Sequence, residues 1–183
     1  MTEELRYPIG RFVRPEEYSD ESRRVWTGEI VALPRLAGAA VADLDDRQLD
    51  TPYRPGGWTI RQVIHHLPDS HLNAYMRIRL ALTEDEPLIR PYFEERWAEL
   101  PDAREAPVEL SLALLEALHA RWVVLLRSLD RDAWSRGLVH PEHGRRMTVD
   151  EAVALYAWHG RHHVAQIIAL RERERWNPQP RPA

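Results

Sequence analysis

Cysteine and lysine are both missing from this chain of 183 residues: the cysteine count is zero, and all 25 basic residues are arginine. Without lysine there is no Schiff base to a carbonyl or to pyridoxal phosphate, no Walker-A lysine on a phosphate and no kinase-type lysine. Without cysteine there is no thiolate nucleophile, zinc finger, iron–sulfur cluster, disulfide or redox pair. Apolar runs of membrane-spanning length are also missing, and the first residues, MTEELRYPIG, contain no signal-peptide core, so the cytoplasm is the expected compartment and no membrane partner is expected. A basic stripe is missing too. The formal charge is 25 − 29 = −4 and the arginines lie close to acids, as in RERER near the C-terminus, so nucleic acid is not an expected partner.

What is present, 44% hydrophobic and 30% charged residues, suits one globular domain. Residues 1–18, with Pro8, Gly10 and Pro15, read as an extended N-terminal arm, 19–176 as a single helical domain, and 177–183 as a C-terminal tail. A first helix is expected from the N-cap Ser19 to about Leu44, with Pro34 as a possible kink. Thr59 and Gln62 form a capping-box pattern for a second helix reaching Thr83, interrupted at Pro68. One short helix is expected around Glu94 to Leu100 and a third long one from Val108 to Leu129. The run GLVHPEHGRR reads as a loop or small hairpin, and Thr148 with Glu151 forms a second capping box for a fourth helix reaching Trp176. Four long helices argue for an all-α four-helix bundle of the up-and-down type with elaborated connections.

Nine histidines are many for this length, and six fall in two clusters: His65, His66 and His71 on the second helix, and His159, His162 and His163 on the fourth. Metal sites in bundles are built from side chains that project inward from facing helices, and an i, i+4 histidine pair can hold one ion. At about 100° per residue, His163 lies roughly 40° and His159 roughly 80° from the apolar direction set by Val149, Ala152, Val153, Tyr156 and Ile167, whereas His162 lies roughly 140° away and is expected nearer the surface. Two buried histidines satisfied by hydrogen bonds would give the same pattern. The second helix leaves its choice open: His71 is on the apolar stripe, His66 shares a polar stripe with Ser70, Asn73 and Arg77, and His65 is on the far side, exposed or packed between helices.

The segments GGWTIRQVIHHLPDSHLNAYMRIRLALTED, LHARWVVLL, GLVHPEHGRR and LYAWHGRHHVAQI, in this order and spacing, resemble the DinB/YfiT-like superfamily, close to its YfiT branch, over residues 5–176. The resemblance implies a four-helix bundle that forms a homodimer and binds one divalent metal ion through three histidines. It assigns those ligands, motif by motif, to His66, His159 and His163, with Pro68 as a departure from the pattern. Zinc or nickel is the expected ion, and iron or manganese would also suit three imidazoles.

The resemblance further implies a metal-dependent hydrolase or an S-transferase that joins a low-molecular-weight thiol such as bacillithiol to an electrophilic small molecule. Transfer is the preferred reading, because no glutamate stands beside the histidines in an HExxH arrangement to act as general base. Since the chain has no cysteine, such a thiol would come from a cosubstrate. Hydrolysis by activated water is the alternative, and a non-catalytic metal-binding or dimerisation module is a third reading. Asp69 is a candidate partner for a ligand imidazole, Arg77 for an anionic substrate, and Tyr53, Trp58, Trp122 and Trp158 for the pocket walls, although capping, a surface ion pair and ordinary core packing would explain these residues equally well.

Overall fold

The computed structural model describes residues 2–141 and 144–176. In chain order its elements are α1 (Thr2–Arg6), α2 (Asp20–Val41), α3 (Asp46–Leu49), α4 (Ile60–Thr83), α5 (Glu94–Trp97), α6 (Pro101–Glu105), α7 (Val108–Ser128), α8 (Arg131–Ser135), β1 (Gly137–His140), β2 (Arg145–Thr148) and α9 (Val149–Arg173). Among the described residues no helix is long and apolar enough to cross a membrane.

Local chemistry sets most boundaries. Ser19 and Ser22 form a reciprocal capping box at the start of α2, and Thr59 and Gln62 form another at the start of α4. Pro34 and Pro68 both lie inside their helices without ending them. The first helix stops at Val41 rather than Leu44, because Ala42 turns extended and Asp43 takes a positive φ of 64°. The second capping box forms only by half. Thr148 accepts from the Glu151 backbone N–H, but the Glu151 carboxylate binds Arg145 at 2.5 and 2.9 Å and faces Arg14 at 3.3 Å. Two guanidinium groups outcompete a neutral backbone N–H for a buried carboxylate.

The arm expected to be extended begins with the helical turn α1, and the expected short helix is two, α5 and α6. The run after α8 is a two-stranded antiparallel hairpin, Gly137 facing Thr148 and His140 facing Arg145. The tail 177–183 lies outside the described residues.

The four long helices form the bundle. In it α2 and α4 each pack on both α7 and α9. Their directions run up, down, down, up rather than alternating. Arg23 near the start of α2 binds Asp150 at the start of α9, and Arg171 near the end of α9 donates to the Ala40 and Ala42 carbonyls at the other end of α2, so these two helices are parallel. The chain leaves α4 beside the hairpin, where Ile89 bonds to Val139, and returns along α4: Gln62 bonds to Ala98 and Arg61 to Ala106. The long connection thus starts α7 at the same end as α4, and strict alternation is lost.

Buried apolar residues form two clusters. One, near the hairpin, holds Ile30, Ile78, Trp122, Leu138 and Val153; the other holds Leu33, Ile64, Leu115, Ile167 and Leu170. On every long helix the sequence crosses from one cluster to the other; on α4 the crossing stretch carries His71, and on α9 it carries His159, His162 and His163. A Cβ on Gly160 would run into the end of the Leu33 side chain, so this glycine permits the close approach of α2 and α9 at that level.

Candidate metal centre

His66 on α4 meets His159 and His163, one turn apart on α9. The His159 Nε2 atom lies 3.2 Å from Nε2 of His66 and 3.2 Å from Nε2 of His163. One nitrogen from each ring falls within 4.8 Å of the other two. His66 and His163 are buried and His159 is half-buried. Burial, and then the neighbouring imidazoles, hold all three rings well below the ordinary histidine pKa, so at neutral pH they are uncharged and have lone pairs to offer.

This donor set fits a divalent ion. In tetrahedral coordination with metal–nitrogen bonds of about 2.0–2.1 Å, ligand nitrogens lie about 3.3–3.4 Å apart, close to the two observed spacings. No carboxylate belongs to the group, so three neutral imidazoles would leave the ion its full charge. The His163 ring is held from behind: its Nδ1–H donates to Gln166 Oε1 at 2.9 Å, and the Gln166 amide donates to the Arg6 carbonyl at 2.9 Å. That bond turns the His163 Nε2 lone pair toward the other two histidines.

The remaining histidines fall differently from their periodicity. His162, expected nearer the surface, is buried, because α1 folds over this side of α9. Its ring stacks on Trp158 at 4.7 Å and lies 5.5 Å from Tyr7, and its Nε2 accepts from Gln166 at 3.0 Å. Burial, with Arg6 nearby, lowers its pKa to about 4. His65 is packed between helices, its Nε2–H donating to Ala106 O and its Nδ1 accepting from Ser111. His71 and His119 are both buried behind His159. Within the sequence, the one signal for His119 is that it is a polar residue on the apolar face of α7.

Two cavities meet beside the candidate ligands: His163 lines both, and His66 and His159 line the smaller. The larger, about 560 Å³, is lined by Arg6, Tyr53, Arg54, Trp58, Glu94 and His163. The smaller, about 310 Å³, is lined by Trp58, His66, Arg77, Tyr92, Trp158 and His159. Trp58, Glu94, His162 and His163 border both. The Trp58 ring packs against His66 at 4.7 Å. Arg77 donates to the Arg90 carbonyl at 3.0 Å and lies over Tyr92, so it is a cavity wall rather than one half of a surface ion pair. Burial raises the Tyr92 and Tyr156 hydroxyls above the usual tyrosine range.

Two of the expected residues lie elsewhere. Trp122 is fully buried in the apolar cluster near the hairpin. Asp69 has no hydrogen bond to His66 among the described residues; it lies toward α6, where burial and then the charge of Asp102 raise its carboxyl pKa to about 6. Glu94, Glu95 and Glu99 line the larger cavity, and of these Glu94 also borders the smaller one. Glu94 lies in the proline-punctuated connection, where periodicity carries no information about facing.

Comparison with known proteins agrees with this architecture. A protein of Bacillus cereus (strain 03BB102), named "Putative metal-dependent hydrolase", is 53% identical over 173 residues, covering 94% of this chain and 99% of the relative. A Bacillus thuringiensis subsp. konkukian (strain 97-27) protein of similar name is also 53% identical, with the same coverage. The solved structure of YfiT from Bacillus subtilis, described as "a probable metal-dependent hydrolase with an unusual four-helix bundle topology", superposes with a TM-score of 0.93 at 46% identity, covering 95% of this chain and 99% of that one. The model of the DinB superfamily matches residues 29–167. With a family match over most of its length and relatives at this identity, the chain belongs to the DinB superfamily.

Proposed function

We propose that the chain is a metal-dependent enzyme whose ion, zinc or nickel, is held by His66, His159 and His163, and that it transfers a low-molecular-weight thiol to an electrophilic small molecule. The observation that carries this reading is the meeting of two adjoining cavities at His163, one of the three grouped imidazoles, with His66 and His159 on the smaller cavity, which suits a reaction of two small molecules. A divalent ion bound by three neutral imidazoles keeps an open position and supplies Lewis acidity toward a thiol or water.

The protein's own residues do the rest. Arg6 and Arg54 on the larger cavity, and Arg77 on the smaller, offer guanidinium groups to anionic parts of the substrates. Trp58 borders both spaces and covers one side of the His66 ring. Glu94 borders both cavities and is placed to accept the proton released by the entering thiol. The exposed Leu72 and Met76 of α4 and Leu110 and Leu114 of α7 support a homodimer as the working unit.

Hydrolysis is the second reading, favoured by the names of the relatives; there Glu94 takes its proton from water instead. The zinc- or nickel-loaded protein is assayed with monochlorobimane with and without bacillithiol and other small thiols. Thiol-dependent conjugate, with chloride released as the new carbon–sulfur bond forms, is the expected result. No conjugate with any thiol, together with acid release from an ester and amide library, replaces transfer by hydrolysis.

A further inference from the structure

Behind His159 a line of rings runs across the bundle and ends on a carbonyl. His119 Nδ1 lies 2.6 Å from the Ile30 carbonyl oxygen, His119 Nε2 lies 2.9 Å from His71 Nδ1, and His71 Nε2 lies 3.2 Å from His159 Nδ1. His119 and His71 are 1% and 0% exposed, so water supplies no alternative partner. The carbonyl at the end of the line is available because of the sequence: in a helix Ile30 would receive the N–H of the residue four positions on, and that residue is Pro34, which has none. His119 replaces the missing donor.

A carbonyl only accepts, and this fixes the direction of the whole line. His119 carries its proton on Nδ1 and presents a lone pair at Nε2. His71 therefore donates from Nδ1 and presents a lone pair at Nε2, and His159 donates from Nδ1 and keeps its Nε2 free of a proton. Nε2 of His159 is the atom that faces His66 and His163. We infer that His119 and His71 are positioning residues which transmit the orphan Ile30 carbonyl to His159, holding it in the one tautomer that can bind a metal ion from its Nε2. This inference rests on His159 being a ligand, as proposed above.

The test separates the line of bonds from the metal reading. In the metal-free protein with ¹⁵N-labelled histidine, long-range proton–nitrogen correlation reports which nitrogen of each ring carries the proton. Wild type is expected to show Nδ1–H at His119, His71 and His159. In His119→Leu the line loses its anchor, and His71 and His159 are expected to move toward Nε2–H, with zinc affinity, measured by chelator competition, falling 10–100-fold. His119→Gln is expected to restore most of that affinity, since its amide accepts from His71 and donates to Ile30. A wild-type His159 protonated at Nε2 overturns the inference, even if His119→Leu does not fold. An unmoved His159 in folded His119→Leu also overturns it, as does a His119→Gln as weak as the leucine variant. If zinc binds His163→Ala as tightly as wild type, the metal assignment fails while the tautomers still report on the line itself.

Discussion

Replacing Gly160 by alanine sets two effects of opposite sign against each other. Gly160 lies inside α9, between His159 and Arg161, and alanine at a helix interior is favoured over glycine by about 0.8–1 kcal/mol. On that ground alone the variant is stabilised. Its new Cβ, however, meets three side-chain atoms of Leu33, which is 3% exposed and enclosed by Ala37, Val164 and Ile167. Overpacking of an enclosed site costs about 1–3 kcal/mol. The second effect is the larger, and the net result is destabilisation by about 1 kcal/mol, read as a fall of roughly 2–4 °C in Tm for a chain of this size. The decisive comparison is a double-mutant cycle followed by thermal unfolding in chelator, so that metal binding does not contribute. Leu33→Ala alone is expected to cost about 2–5 kcal/mol, and in that background Gly160→Ala is expected to stabilise by about 1 kcal/mol, since the obstacle has gone and part of the cavity is filled. The sign reversal corresponds to a coupling of about 2 kcal/mol. A Gly160→Ala variant more stable than wild type with Leu33 in place would refute the reasoning.

Three further outcomes concern the histidines, Asp69 and Glu151. Zinc at 100 times its dissociation constant should stabilise wild type by about 2.7 kcal/mol, and His159→Ala or His163→Ala should lose that increment while the chelated proteins melt within a few degrees of wild type; an undiminished increment would remove these residues from the site. Asp69→Asn should raise Tm above pH 6, because the folded-state pKa of Asp69 is raised to about 6 and ionisation of the buried acid destabilises the fold as pH rises from about 4 to 6; after allowance for its partial exposure the gain is on the order of 1 kcal/mol, and it should vanish below about pH 3, where the acid is protonated folded or unfolded. Glu151→Gln, which removes the charge between Arg145 and Arg14, should cost about 2 kcal/mol by urea titration, and an unchanged midpoint would show that the buried pair contributes nothing.

How much was readable in advance depended on the range of the interaction. The limits of α4 follow from Thr59, Gln62 and a 3.6-residue apolar period, all local, and they match the structure. The inward facing of His159 and His163 follows from the same period. His162 did not, because its burial comes from α1, more than 150 residues away in sequence, whose Arg6 carbonyl also anchors Gln166. His119 acquires its partner only when α7 packs beside Ile30 of α2, and no spacing within α7 announces that contact. The down-down pairing of α4 and α7 rests on the path of residues 84–107, which short-range pattern does not describe. Glu94 was hidden for the same reason.

The arginine ties carry a consequence outside catalysis. Arg23 joins α2 to α9 through Asp150, Arg61 joins α4 to α3 through Asp46 and Asp50, and Arg145 joins the hairpin to α9 through Glu151. A lysine in any of these places would lose its proton near pH 10.4, whereas a guanidinium holds its charge beyond pH 12. Alkali therefore does not unfasten these helices by neutralising their cations. Amine chemistry does not reach them either: acylating reagents, reductive methylation and amine cross-linkers find no side chain to modify in a chain without lysine, and every guanidinium clasp between the elements survives such labelling.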